Sequence, residues 1–279
     1  MSFLAESAEL CGVNVLDLHA TIGRSVTTMA QHPSAEKLDS LLGDVEYVAL
    51  VARCNDAGDL GDAIISISLV DRTGANQNAL EKIAGMYQAL AARRRMTADV
   101  LGEFYNTKHD KAYLLVSGLG AYGLLKNESG LHQIDLRYKG RSSRNGRELI
   151  REDRELLKVE IHPVNGKTPK QFRGQVKTRV LTLRPVRDRL LKASLALTLF
   201  HEPSVRSIEF WTSGPQPDAM ERGLSILYAN VQGSLLNNEA DTIVRQYDLG
   251  IAPKVKDHRT GRTTTRVKQV FKGDLSSFH

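Results

Sequence analysis

A chain of 279 residues, 41% hydrophobic and 25% charged, has the composition of a folded globular protein of one to three domains. It holds no run of about 18 apolar residues, which excludes a helical membrane span, and its opening MSFLAESAELCG carries two glutamates and no basic stretch, arguing against a secretory or transit peptide. The two cysteines, Cys11 and Cys54, cannot build a disulfide framework and lack metal-ligand spacing, so they read as idle thiols in a reducing cytoplasm.

In chain order, residues 1–45 read as helical: LAESAEL and LDLHATIGRSVTTMA have helical spacing, and SAEKLDSLL offers Ser34 as a cap. VEYVALVARC fits a strand or a helix equally, whereas AIISISLVD alternates as a half-buried strand does. ANQNALEKIAGMYQALAARRR is an amphipathic helix, with Leu80, Ile83, Ala84, Tyr87 and Leu90 on one stripe. Its closing Arg93, Arg94 and Arg95 suit the negative end of the helix dipole, a simpler role than phosphate binding. Strands are expected at TADVLGEF and KAYLLVSG, then a basic loop (RYKGRSSRNGRELI) and a strand at LLKVEIHP. NGKTPKQFRGQVKT reads as a linker or mobile loop. RVLTLRP, ASLALTLFH and SVRSIEFWT read as strands, PDAMERGLSILYANVQGSLL as a helix, and TTTRVKQVFKGDLSSFH as a strand followed by a short helix.

The formal net charge of +6 is unevenly spread. Segments 137–154, 167–192 and 254–272 carry +4, +8 and +6, leaving −12 for the rest of the chain. The bland reading is a set of solvated faces. Segregation of this size in one half of the chain fits a surface that meets phosphate better.

Gly118, Gly120 and Gly123 are spaced as GxGxxG after the apolar run AYLLV. A dinucleotide turn would need a helix opening at these glycines and a βαβ unit around them. The following LLKNESGLHQI has Gly130 inside the required helix and no long apolar period, and the preceding strand follows another strand. The pattern alone therefore does not carry a nucleotide site.

The longer string does carry a resemblance. Gly118, Gly120, Ala121, Tyr122, Leu125, Lys126, Glu128, Ser129, Gly130 and His132 resemble the central domain of the bacterial class-I peptide chain release factors. Met86-Tyr87 in the helix upstream, and Arg245, Tyr247, Asp257, His258, Arg259, Gly261, Gly273, Asp274 and Leu275 in the tail, extend it over residues 60–279. The resemblance implies an α+β fold: a release-factor-like central β-rich domain completed by the C-terminal tail, with an inserted smaller β/α domain and a short helical N-terminus. The implied boundaries are 1–45 for the helical segment, 46–163 plus 239–279 for the central superdomain, and 164–238 for a reduced catalytic-domain remnant.

Two departures shape the functional expectation. The family's codon-reading tripeptide loop is represented here by QIDLRYKGRSSRNGRELI, without proline or phenylalanine but with Arg137, Lys139, Arg141, Arg144 and Arg147. The family's Gly-Gly-Gln loop, whose backbone amide stabilises an oxyanion while the glutamine admits water, falls where this chain has PVRDRLLKA between Arg184 and Ser194. Gly174-Gln175 is the only Gly-Gln, with Arg173 where glycine belongs.

The resemblance and the charge together imply a non-hydrolytic homologue that binds the ribosome (A site) or structured RNA, rRNA or mRNA. The phosphate-binding candidates are Arg137, Lys139, Arg141, Arg144, Arg147, Lys254, Lys256, His258, Arg259, Arg262 and Arg266. No catalytic residue, cofactor, metal, DNA or membrane is expected, and no protein partner is named; the shortened N-terminal region makes a recycling GTPase doubtful. Alternatives are an mRNA-binding protein acting off the ribosome and a codon-independent peptidyl-tRNA hydrolase using Gln175. His132, His201, His258 and His279 lack metal spacing and read as structural or RNA-adjacent, and the sequon Asn127-Glu128-Ser129 lies within the family string.

Overall fold

The computed structural model describes residues 15–31, 34–57, 59–73, 78–101, 111–141, 148–164, 168–182, 195–212, 215–236 and 242–278. Two helices come first, α1 (Val15–Gln31) and α2 (Ala35–Ala57). The Ser34 hydroxyl accepts a 3.3 Å hydrogen bond from the Lys37 N–H, the cap its position implied. VEYVALVARC lies wholly inside α2, so this ambiguous stretch is helical, and the helix runs unbroken through residues 45 and 46. Tertiary contact decides it: Tyr47, Leu50, Val51 and Cys54 share a buried stripe, and a strand would have split them between two faces.

Strands β1 (Ala63–Thr73), β2 (Thr97–Leu101), β3 (Lys111–Ser117), β4 (Gly130–Arg141), β5 (Glu148–Pro163), β9 (Ile243–Gly250), β10 (Lys254–Asp257) and β11 (Thr263–Thr264) form one sheet, in the order β11-β10-β9-β4-β5-β1-β3-β2. Every pairing is antiparallel except β4 with β9. The stretch read as a basic loop is largely strand: β4 reaches Arg141 and β5 begins at Glu148, in one long hairpin. Helix α3 (Ala79–Arg93) buries Ile83, Ala84, Met86, Tyr87, Leu90 and Ala91 on the sheet, at about 1.5–3 kcal/mol for each large side chain. Its terminal arginines do more than cap: Arg94 reaches Glu46 at 2.5 Å and Arg95 pairs with Asp44, tying α3 to α2, while Arg93 lies 4.0 Å from Asp274 of the tail.

After β5 the chain leaves the sheet, builds a second unit and returns as β9 beside β4. The stretch read as a linker contains helix α5 (Lys170–Gly174), whose Phe172 is buried; residues 165–167 lie outside the described ones. Strands β6 (Val176–Thr182), β7 (Leu195–His201) and β8 (Arg206–Thr212) pair antiparallel in that order, under helix α6 (Gln216–Leu236). Leu197, Leu199, Ile208, Phe210, Leu224 and Leu227 form its core, which continues onto Ile64 and Tyr113 of the large sheet. The chain ends in α7 (Val267–Phe271) and a 3₁₀ turn (Ser276–Phe278), folded back so that Val267, Val270, Leu275 and Phe278 complete the main core.

The glycine string forms no nucleotide turn. Gly120 (φ +82°) starts the five-residue helix α4 (Ala121–Leu125), too short to carry a pyrophosphate, within an antiparallel neighbourhood. The Gly118 N–H is spent on Asp62 Oδ1 at 2.9 Å, and a Cβ on Gly123 would fall 2.2 Å from Cys54 Sγ. The glycines let α4 lie against α2. Cys54 is the free, buried thiol of that contact, and burial pushes its pKa up; Cys11 is outside the described residues.

Candidate nucleic-acid interface

Pleating sorts the large sheet into two chemistries. On the core side, His132, Tyr247 and Arg245 sit in register across β4 and β9, facing α3 and the tail. Arg245, with no exposed side-chain surface, donates Nη1 to Glu128 Oε2 at 2.5 Å, and Nη2 to Glu128 Oε1 at 2.9 Å and Asp257 Oδ2 at 3.0 Å. Its guanidinium carbon stands 4.6 Å from the centre of the Phe278 ring. Burial alone would raise the pKa of Glu128, but Arg245 above all, with Arg259, holds it below the usual carboxylate range; burial would likewise raise Asp257, and the donors around it hold it low. His132 Nε2 lies 3.0 Å from the Glu128 carbonyl, which only accepts, so that nitrogen carries the proton and Nδ1 accepts from the Tyr247 hydroxyl at 3.2 Å. Burial pushes His132 down to about 4, so the ring is neutral at physiological pH. Glu128, His132, Arg245, Tyr247 and Asp257, much of the string that carries the family resemblance, therefore build a buried ionic core, which the partly exposed Arg259 closes from outside.

The opposite face of β5, β4, β9 and β10 is polar. Asp135, with no exposed side-chain surface, accepts from Arg154 Nε at 2.8 Å, Gln133 Nε2 at 2.7 Å and Gln246 Nε2 at 2.8 Å. Burial raises its pKa, yet these donors outweigh burial and hold it below the ordinary carboxylate value; the Asp135 bond in turn raises Arg154. Gln246 also donates to Asp248 Oδ1 at 3.2 Å, and Lys254 Nζ lies 3.5 Å from Asp248 Oδ2. At the other end, Glu152 receives Arg154 Nη2 and Arg137 Nε, each at 3.2 Å. One chain of contacts, Arg137–Glu152–Arg154–Asp135–Gln246–Asp248–Lys254, thus joins the basic hairpin to the basic tail across β5, β4, β9 and β10.

Strand register places each expected phosphate contact. Lys254 pairs with Asp248, which is level with Asp135; Lys256 pairs with Gln246, level with Gln133. Arg137 and Lys139 follow on β4 on the same face. Levels 133, 135, 137 and 139 therefore each carry a cation, Lys256, Lys254, Arg137 and Lys139, along about 20 Å at roughly 3.3 Å per residue. The rest separate. His258, Arg259, Arg262 and Arg266 follow β10 beyond the level of His132, whereas Arg141 closes β4 nine residues on, about 30 Å away. Arg259 stays partly exposed but turns its guanidinium to the ionic core: its Nη2 lies 3.3 Å from Glu128 and 3.2 Å from Asp257. His258, Arg262 and Arg266 are exposed at the sheet edge, Arg266 just before α7. The strand placement of Arg141 is described, its side chain is not, and Arg144 and Arg147 lie outside the described residues.

The organising residues Asp135, Glu152, Arg154, Gln246 and Asp248 were not among the sequence candidates. Nothing in the linear sequence joins them; strand register does, setting Asp135 opposite Arg154 and level with Asp248, and Glu152 opposite Arg137. Gln175 closes α5, with its Oε1 3.3 Å from His201 Nε2; His201 stacks on Phe172 at 4.3 Å, a packing role. Among the described residues no group of His, Cys, Asp and Glu is disposed to hold a metal ion, and no helix is long and apolar enough to cross a membrane.

This mixed α+β architecture, a large sheet completed by the tail with an inserted three-stranded unit, is a release-factor-like fold. RF2 of Thermus thermophilus superposes with a TM-score of 0.62 at 21% identity, over 94% of this chain and 81% of that one. Peptide chain release factor 2 of Thermotoga petrophila is 26% identical over 280 residues, 90% of this chain and 72% of the relative. Peptide chain release factor 2 of Neisseria meningitidis serogroup C is 26% identical over 274 residues, 86% and 68% respectively. No family model matches the chain. The chain is a relative of the peptide chain release factors.

Proposed function

We propose that this protein is a non-hydrolytic release-factor homologue in the cytoplasm, acting in translation termination, rescue or ribosome protection by docking on ribosomal or other structured RNA. The observation that carries the reading is the four-cation track Lys256–Lys254–Arg137–Lys139, supported beneath by a continuous ion-pair and amide chain. The buried Asp135 and its partners hold the surface; the lysines and Arg137 present charge from it. Phosphate competes readily for such exposed pairs, which are individually worth about 0–1 kcal/mol. No aromatic side chain sits among the four cations, so contact is expected to be with backbone and shape more than with bases.

The test is sedimentation with 70S particles and their subunits at rising salt. Ribosome association that falls steeply with salt supports the proposal. Retention of free transcripts without ribosomes would favour an mRNA-binding role. Peptide release from loaded ribosomes, lost in Gln175→Ala, would overturn the non-hydrolytic reading.

A further inference from the structure

The second unit meets the large sheet through α6, and part of that junction is polar. Ser66 Oγ of β1 donates to Asn230 Oδ1 at 2.9 Å, and Arg206 Nη1 of β8 reaches the Asn230 carbonyl at 3.5 Å. Three residues along α6, Gly233 lays its backbone against the ring of His162 on β5; a Cβ there would fall 1.8 Å from Nδ1. His162 is 3% exposed, and neither ring nitrogen has a hydrogen-bond partner. A neutral imidazole offers one donor and one acceptor, and leaving such groups buried and unpaired costs about 1–3 kcal/mol each. An apolar side chain would fill the same space without that cost. The junction also holds a cavity of about 300 Å³, lined among others by Ser66, Tyr113, Glu160, Arg206, Ser207 and Asn230.

We propose that His162 is a proton-operated latch between the two units: uncharged, it lets α6 close on β5, and on protonation it forces helix and strand apart. The charged ring would present two N–H donors to a site with no acceptor in reach, and an unpaired buried charge is among the most destabilising groups a contact can hold. The surroundings leave this outcome to burial. Glu160 on the same strand favours the charge and Arg206 on β8 opposes it; the cross-strand neighbour on β1 is Ile64, and α6 presents Gly233 and Asn230. Burial is the largest influence and lowers the His162 pKa from its ordinary value of 6.5. The closed form therefore binds fewer protons than the open one. Closure is fully favoured above pH 6.5 and weakens as pH falls below it.

Fluorophores on Ile150→Cys and Val205→Cys, exposed positions on the two units, in a Cys11→Ser, Cys54→Ala background, report the separation. Between pH 7.5 and 5.5 energy transfer should fall in the otherwise native protein, with circular dichroism unchanged, and stay at its pH 7.5 value in His162→Leu. Should the leucine variant aggregate, His162→Gln, which also stays uncharged, carries the same expectation. Gly233→Ala, whose methyl group occupies the ring's place, should read as open at both pH values. Constant transfer in the native sequence, or an uncharged variant that follows the native curve, overturns the latch.

Discussion

The two faces of strands β4 and β9 carry similar residue types and put them to opposite uses. On the core face, Arg245 is sealed between Glu128 and Asp257; on the outer face, Arg154 bonds the buried Asp135 while its own side chain remains 49% exposed. The difference is water. A charge sealed in the core depends on its partner, so losing either partner strands the other; a charge at the surface can exchange its partner for solvent or phosphate. The inner face therefore maintains the fold, and the outer face is left free to exchange partners, as the proposed RNA contact requires.

The sharpest way to break this contrast is Arg245→Met. Glu128 and Asp257 would lose their main partner in the core, and denaturant unfolding should show a loss of about 3–5 kcal/mol. Next comes pH. His132, at about 4 when folded and near 6.5 when unfolded, binds its proton less readily in the native state. Stability should thus be full above pH 6.5 and decline between 6.5 and 4, by on the order of 3 kcal/mol for this group alone. The depressed carboxylates Glu128, Asp135 and Asp257 add a further decline below about pH 4–5, since their stabilisation exists only while they are ionised. Urea titrations from pH 8 to 2 measure both. Asp135→Ala should follow, at about 1–3 kcal/mol, because Arg154, Gln133 and Gln246 lose a shared acceptor. The smallest stability effect belongs to Lys139→Ala, Lys254→Ala and Lys256→Ala combined, each within about 0.5 kcal/mol. That triple variant should nevertheless lower the slope of log affinity against log salt for RNA by roughly 2–3. An unchanged slope would remove the track from the interface.

Much of the fold was readable in advance because its signals are local. The stripe of α3, the strand character of β1 and the Ser34 cap each depend on residues close in sequence; the half-burial expected of β1 did not hold, because the second unit covers Ile64 while the main core covers Ile65 and Ile67. The readings that needed correction depended on distance. VEYVALVARC has no period that separates helix from strand, and α4 with its glycine turn decided for helix by packing on one side of it, against Leu50 and Cys54. Residues 137–150 were read as loop because their charges mask the strand pattern; the pairing of β4 with β5, from Arg137 opposite Glu152 to Arg141 opposite Glu148, extends both strands into it. The site shows the same division. Arg137 and Lys254 were found as members of charge-rich segments, but Asp135, Arg154 and Gln246 were invisible as a unit, since they come from three strands spread over 111 residues.

By itself the sequence determined the element types wherever periodicity was strong, the concentration of positive charge in the second half, the family string and the absence of a Gly-Gly-Gln tripeptide. Only the tertiary structure decided which of those charged residues point inward and which outward. Side chains on a strand alternate between two faces, and the face that becomes core is set by what packs on it, here α3 and the returning tail. Arg245 and Lys254 lie nine positions apart in the chain; pleat and register make one a buried strut and the other a surface cation.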